Sequence, residues 1–135
     1  MARKIRTGEI TYNLGKTTDF NETQFRTAFC QEIAIVMKCS ADELKKPDKL
    51  WLDVRSFKTF AEIPKAIPLT GTDLDTSSFK FAPGGKKSIN VIRAYYRWSV
   101  MADVVRPYVS NVKSADGKQT YLMVATAVVQ NEDYP

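Results

Sequence analysis

The chain has two cysteines, Cys30 and Cys39, and no histidine. The lack of histidine removes the commonest general base and excludes a Ser-His-Asp triad. It also removes most zinc sites, because two cysteines cannot supply the four ligands of a structural zinc site. The residue types therefore predict no catalytic site, no metal site and no bound cofactor.

The two cysteines lie near a predicted helix end. Cys30 falls late in the helix and Cys39 just past it, so the two can meet if the chain turns back after Met37. A bridge would close a short loop and stabilise the fold by roughly 2–3 kcal/mol on the chain-entropy model. Two interpretations stay open at this point: a disulfide in an oxidising compartment, or two buried thiols in the cytosol.

Two other groups of residues invite a chemical interpretation. Gly84–Ser88 contains Gly-Gly-Lys-Lys-Ser, but a Walker loop needs a different glycine spacing and a following helix, whereas a strand is predicted here. The carboxylates of Asp42, Glu43, Asp73 and Asp75 could bind calcium, but their spacing is not that of an EF-hand. A plain turn and a solvated acidic surface are predicted instead.

One predicted strand carries Arg93, Tyr95 and Arg97 on the same face, a combination that can stack single-stranded bases. The opposite face, expected to be core, carries Ile92, Tyr96 and Trp98. The positive charges are scattered apart from Ala2–Arg6 and Gly84–Lys87, and no long basic stripe is present. A small basic nucleic-acid-binding protein or viral structural protein is therefore the alternative interpretation.

Length and composition predict one domain with its own core, since the chain has 135 residues of which 44% are hydrophobic. The net charge of +5 would suit an acidic partner, a membrane surface or nucleic acid, or simply a solvated surface. The longest aliphatic run, Ile33–Met37, is far shorter than the roughly 18 apolar residues of a membrane span. No apolar signal-peptide core follows Met1.

The best local signal is a helix predicted from about Glu22 to Met37. Asn21 and Gln24 have the spacing of a capping box, and Phe20 and Phe25 that of a hydrophobic staple. The face predicted to pack on a sheet carries Phe25, Phe29, Ile33 and Val36 or Met37.

Strands follow the helix. Alternation at Leu50, Leu52 and Val54 predicts a half-buried strand, and β-branched and aromatic residues predict two more at 88–100 and 120–129. Residues 63–85 are predicted to be a long loop, residues 101–111 are ambiguous because of Pro107, and Asp116-Gly117 predicts a turn. Helices before strands indicate an α+β fold with an antiparallel sheet.

Four segments, taken in order, resemble the TadE-like minor pilins of tight-adherence (Tad/Flp, type IVc) pili. They are Gln24–Cys30 with Cys39, the strand Leu50–Phe57 (LWLDVRSF), Phe81–Gly85 leading into Val91–Trp98, and the terminal Leu122–Tyr134. Gln130 and Asp133 depart from the arginine and proline expected of the family at those places.

The resemblance implies a pilin-like α+β fold, with N-terminal helix segments on an antiparallel sheet of about three to four strands. Residues 1–135 would be one soluble head domain, with 1–15 a helix stub and linker behind an upstream membrane-anchor helix that is missing here. The basic Ala2–Ile10 segment, with little apolar face, suits a helix emerging from a membrane. The resemblance also implies a Cys30–Cys39 disulfide.

The implied role is that of a minor pilin or pseudopilin that takes part in the assembly, priming or tip of an adhesion pilus, not that of an enzyme. Its partners would be other pilins, pilus assembly proteins and the inner membrane, with no specific nucleic acid and no small-molecule substrate. The expected location is the periplasm, anchored in the inner membrane, or the pilus at the cell surface.

Overall fold

The computed structural model describes residues 1–99, 110–113 and 119–135. The predictions for 101–109 and for the Asp116-Gly117 turn lie outside these ranges. The helices are α1 (Ala2–Arg6), α2 (Glu22–Glu32) and α3 (Ala41–Lys45), with a 3-10 turn at Phe60–Glu62. The strands are β1 (Leu50–Phe57), β2 (Leu69–Thr70), β3 (Asp73–Leu74), β4 (Phe81–Ala82), β5 (Ile89–Ser99), β6 (Val112–Lys113) and β7 (Gln119–Gln130).

Within the described residues, the main sheet has five strands in the order β4-β1-β5-β7-β6. The long strands β1, β5 and β7 are antiparallel neighbours, as predicted for an α+β fold. The sheet is nevertheless mixed rather than wholly antiparallel, because β4 pairs parallel with β1. The N–H of Val54 donates to the carbonyl of Lys80 at 2.8 Å, which draws the end of the long loop alongside β1.

One sheet face packs against the helices and forms the main core. Phe25 of α2 is 1% exposed, and its ring lies 4.7 Å from that of Phe81 on β4. Phe25 therefore faces the sheet as predicted, whereas Phe29 is only partly buried against the same core. The other buried members are Ile5, Ile10, Cys30, Leu50, Leu52, Val54 and Ile92.

The opposite sheet face is also covered, which the alternating pattern did not predict. Tyr95 is 1% exposed and stacks on Phe79 with ring centroids 4.7 Å apart. Asp53 is buried too, and its carboxylate accepts the N–H of Lys80 at 3.2 Å. The prediction of a half-buried β1 is therefore only partly right: the other side chains on this face of β1 are partly exposed, but Asp53 is buried because residues 64–80 form a lid over this face. We call this segment the lid.

The faces of β5 also differ from the prediction. Ile92 belongs to the core, but Tyr96 is only partly buried and Trp98 is 49% exposed. Tyr95, assigned by alternation to the outer face, is instead among the most buried side chains.

The expectation that the first residues have little apolar face is wrong. Ile5 is 0% and Ile10 is 2% exposed, and both belong to the main core. A short helix is marginal by itself in water, so α1 depends on these tertiary contacts. The segment therefore packs into the core of the domain.

Helix α2 begins at the predicted residue but ends earlier than predicted. The capping box is present, with Asn21 Oδ1 accepting the Gln24 N–H at 2.8 Å. The helix ends at Glu32 instead of Met37, and the next residues turn. Two causes act together: Ile33, Ile35 and Val36 are β-branched, and Cys30 must meet Cys39 across the turn.

Candidate interaction surface

The expected disulfide is present, and it joins Cys30 to Cys39 with a Cα–Cα separation of 5.8 Å. Cys30 is 6% exposed and belongs to the main core, so one end of the bridge is anchored in the domain. Cys39 directly precedes Ser40, whose Oγ accepts the Glu43 N–H at 3.1 Å and caps α3. The bridge therefore connects the end of α2 to the start of α3.

The loop that the disulfide closes exposes two aliphatic side chains. Ile35 is 99% and Val36 is 88% exposed, and we call this pair the tip. The backbone beneath the tip forms a hydrogen-bonded turn, in which the N–H groups of Val36 and Met37 both donate to the carbonyl of Ile33 at 2.8 Å. The loop thus presents an apolar tip on a covalently closed base.

A buried ion pair fixes the chain that follows the loop. The carboxylate of Glu43, which is 7% exposed, accepts the N–H groups of Asp48, Lys49 and Leu50 at 2.8 to 3.2 Å. Arg26 lies 3.7 Å from this carboxylate and donates to the carbonyl of Leu50 at 2.8 Å. Burial lowers the pKa of Arg26, and the Glu43 charge opposes that effect. The pair ties α2, α3 and β1 together.

A depression of about 540 Å³ lies beside the base of the loop. Its lining includes Met37, Lys38, Lys46 and Lys49. The three lysines are exposed, and none forms an ion pair with another residue that the structure describes. The lining also holds Asp42, Asp48 and Glu43, and the last of these is paired with Arg26, so the charge here is mixed.

A second, apolar groove of about 320 Å³ runs between α2 and the sheet. Phe29, Ile33, Ile92 and a stretch of small residues on β5 and β7 line it, namely Ala94, Ala125 and Ala127. Glu32 stands at its rim, within 2.7 Å of Lys4 and 2.8 Å of the Met1 amino group. These cations hold the pKa of Glu32 below its ordinary value. Because Ile33 lines the groove, the tip and the groove are neighbours.

The residues suggested for stacking nucleic-acid bases are not available on a free surface. Arg93 is 8% exposed and donates to the carbonyl of Pro64 in the lid. Arg97 pairs with Asp73 at 3.0 Å, and Tyr95 is buried under Phe79. The lid therefore covers the face on which this alternative depended.

Gly84–Ser88 is a turn, as predicted, and not a phosphate loop. The Gly84 N–H, which a phosphate would need, donates to Oδ1 of buried Asn90 at 2.7 Å. Asn90 in turn donates to Asn131 at 2.9 Å, and Asn131 donates to the carbonyls of Gly84 and Gly85 at 3.0 Å each. The sequence pattern did not predict this asparagine pair, because the alternation of a strand does not distinguish a buried amide side chain from an exposed one.

The C-terminal segment that carries part of the resemblance has a packing role. Tyr134 lies over Gly8, where an added Cβ would come within 2.7 Å of the ring. The Tyr134 hydroxyl accepts a hydrogen bond from Asn131 at 2.9 Å, and Lys16 lies over its ring. Arg6 and Glu132 pair at 3.4 Å. The segment therefore locks the N-terminal region against the turn at Gly84.

The four carboxylates considered for calcium serve separate purposes. Glu43 accepts backbone N–H groups, Asp73 pairs with Arg97, and Asp75 accepts from Ser77. Asp42 lies in the first turn of α3. Across the described ranges, no cluster of three metal-ligating side chains is placed to hold a metal ion.

The helices that the structure describes all lack the length and apolar character needed to cross a membrane. In comparisons with known proteins, no family model matches the chain. No curated protein and no solved structure matches it either.

Proposed function

We propose that the chain is the head domain of a structural minor pilin or pseudopilin of the TadE-like type, which takes part in the assembly, priming or tip of a Tad/Flp adhesion pilus. The observation that carries the proposal is the apolar groove on the helical side, between α2 and the alanines of β5 and β7. A subunit that packs into a filament needs such apolar contact surface and no reacting groups. The four segments that resemble the family add to it.

The disulfide supports a location outside the reducing cytosol. Bridges such as Cys30–Cys39 persist in the periplasm and on cell surfaces, and cytosolic thiols are kept reduced. In the proposed function, an apolar helix upstream of Ala2 anchors the protein in the inner membrane before assembly. Other pilins and pilus assembly proteins are then its partners, and it binds no small-molecule substrate.

The native reading frame tests this proposal most directly. It should encode an apolar helix of about 20 residues upstream of Ala2, and the full-length protein should fractionate with membranes. Deleting only that helix in the native host should abolish surface filaments, while the exported head keeps its protease resistance and its disulfide. Normal filaments in a strain that lacks the whole gene would show that the proposal is wrong.

A further inference from the structure

We propose that the tip docks onto an anionic bilayer surface. Single exposed aliphatic residues are ordinary on proteins, but Ile35 and Val36 are adjacent and exposed at 99% and 88%. They lie at the end of a loop closed by a disulfide, so little loop entropy is lost when they are immobilised. A short apolar projection of this kind can enter the boundary between headgroups and acyl chains.

The charges around the loop indicate which surface the tip meets. Residues 38–49 contain four lysines, Lys38, Lys45, Lys46 and Lys49, and all four are exposed. The acidic residues of this stretch are Asp42, Asp48 and Glu43, and the last is neutralised by Arg26. Two positive charges are thus left in excess. Lysines beside an inserted apolar group complement the negative potential of an anionic leaflet.

The same lysines argue against a protein as the main occupant. Lysine is depleted from the cores of protein–protein interfaces, because its charge must be desolvated there. At a bilayer, by contrast, the aliphatic stem can lie along the apolar layer while the ammonium group stays in water among the headgroups. The inference does not depend on the pilin proposal, since it concerns this chain alone.

Vesicle flotation of the 135-residue chain tests the proposal. Vesicles of phosphatidylglycerol and phosphatidylcholine should bind the oxidised protein, and pure phosphatidylcholine vesicles should bind it much more weakly. The double substitution Ile35→Ser/Val36→Ser should weaken binding to the anionic vesicles by at least about tenfold, because two aliphatic side chains no longer leave water. Each of Lys46→Ala and Lys49→Ala should weaken it about fivefold, the effect of one lysine at an anionic surface.

The matched control is Ile67→Ser/Leu69→Ser. These residues are 44% and 53% exposed, and both belong to the lid, which lies on the sheet face opposite the helices. The control should bind vesicles like the wild type, and all variants should keep the wild-type melting temperature within a few degrees. The proposal is wrong if the wild type does not float with anionic vesicles, or if the tip variant binds as well as the wild type. It is also wrong if the tip proves necessary only for self-association or for binding another protein.

Discussion

At the scale of single residues, the most demanding arrangement is the buried pair of Arg26 and Glu43. Each is largely removed from water, at 3% and 7% exposure. A buried charge is tolerated only when a counter-ion and hydrogen bonds replace its hydration. Here three backbone N–H groups and one guanidinium surround a single carboxylate. These interactions offset the cost of burying the two charges, and they hold α2, α3 and β1 together.

Removing the Glu43 carboxylate should therefore be severely destabilising. Glu43→Ala leaves the buried Arg26 charge without its counter-ion and removes the acceptor of three backbone N–H groups, and we expect the free energy of unfolding to fall by about 3–5 kcal/mol. Urea denaturation monitored by circular dichroism measures the change. Asp42→Asn, an exposed neighbour in the same helical turn, is the control and should cost only a few tenths of a kcal/mol. Equal effects of the two substitutions would show that Glu43 is not the junction described here.

At the scale of elements, the disulfide determines the course of the chain between α2 and α3. It lies where the predicted helix should have continued, and it holds the loop in a turn that carries the tip. A cross-link acts chiefly by limiting the unfolded chain, and a loop of this length is worth about 2–3 kcal/mol on that model.

Reduction should lower stability by that amount and loosen the loop. Urea denaturation with and without reductant measures the difference, and intact mass after alkylation reports the thiol state. The Cys30→Ala/Cys39→Ala variant is the control, because its stability should not respond to reductant. If mass shows the wild type fully reduced and its stability is unchanged, then the bridge is not a stabilising element.

Structure that depends on neighbouring residues could be predicted from the sequence. Which sheet faces are buried by distant segments could not. The start of α2 was predictable because Asn21 and Gln24 interact within one turn. The end of α2 was not predictable, because the chain turns there to form the disulfide with Cys39, which lies beyond the helix. Likewise the alternation in β1 identified Leu50 and Val54 as core, but could not show that the lid would bury Asp53 on the other face. At the candidate surface, the disulfide was predicted from the family resemblance. The exposure of Ile35 was not predicted, because Ile35 was expected to lie within the helix.

At the scale of the whole molecule, the two sheet faces are covered unequally. The lid closes one face over Tyr95 and its neighbouring arginines. On the other face the helices leave a groove along Ala125 and Ala127 beside the tip. Among the described residues, the exposed apolar tip and the apolar groove thus both lie on the helical side. Contacts of the proposed subunit with other pilins are expected along the groove.

This arrangement predicts weak, non-specific binding to nucleic acid. The net charge of +5 attracts phosphates by counterion release, but Arg93, Tyr95 and Arg97 lie under the lid, and Lys86 and Lys87 both pair with Asp133. Non-specific dissociation constants at physiological salt are about 1–100 µM, and we expect values in or above that range for single- and double-stranded oligonucleotides.

Fluorescence anisotropy at two salt concentrations measures this affinity. Binding should weaken steeply as salt rises and should not depend on sequence, because only scattered surface charges take part. Lys113→Ala, at an exposed lysine, should weaken binding at least as much as Arg93→Ala, since the Arg93 side chain is occupied by the carbonyl of Pro64. Sub-micromolar affinity that depends on Arg93 would mean that the lid opens. In that case a nucleic-acid-binding function, and not the pilin proposal, would account for the sheet face that the lid covers.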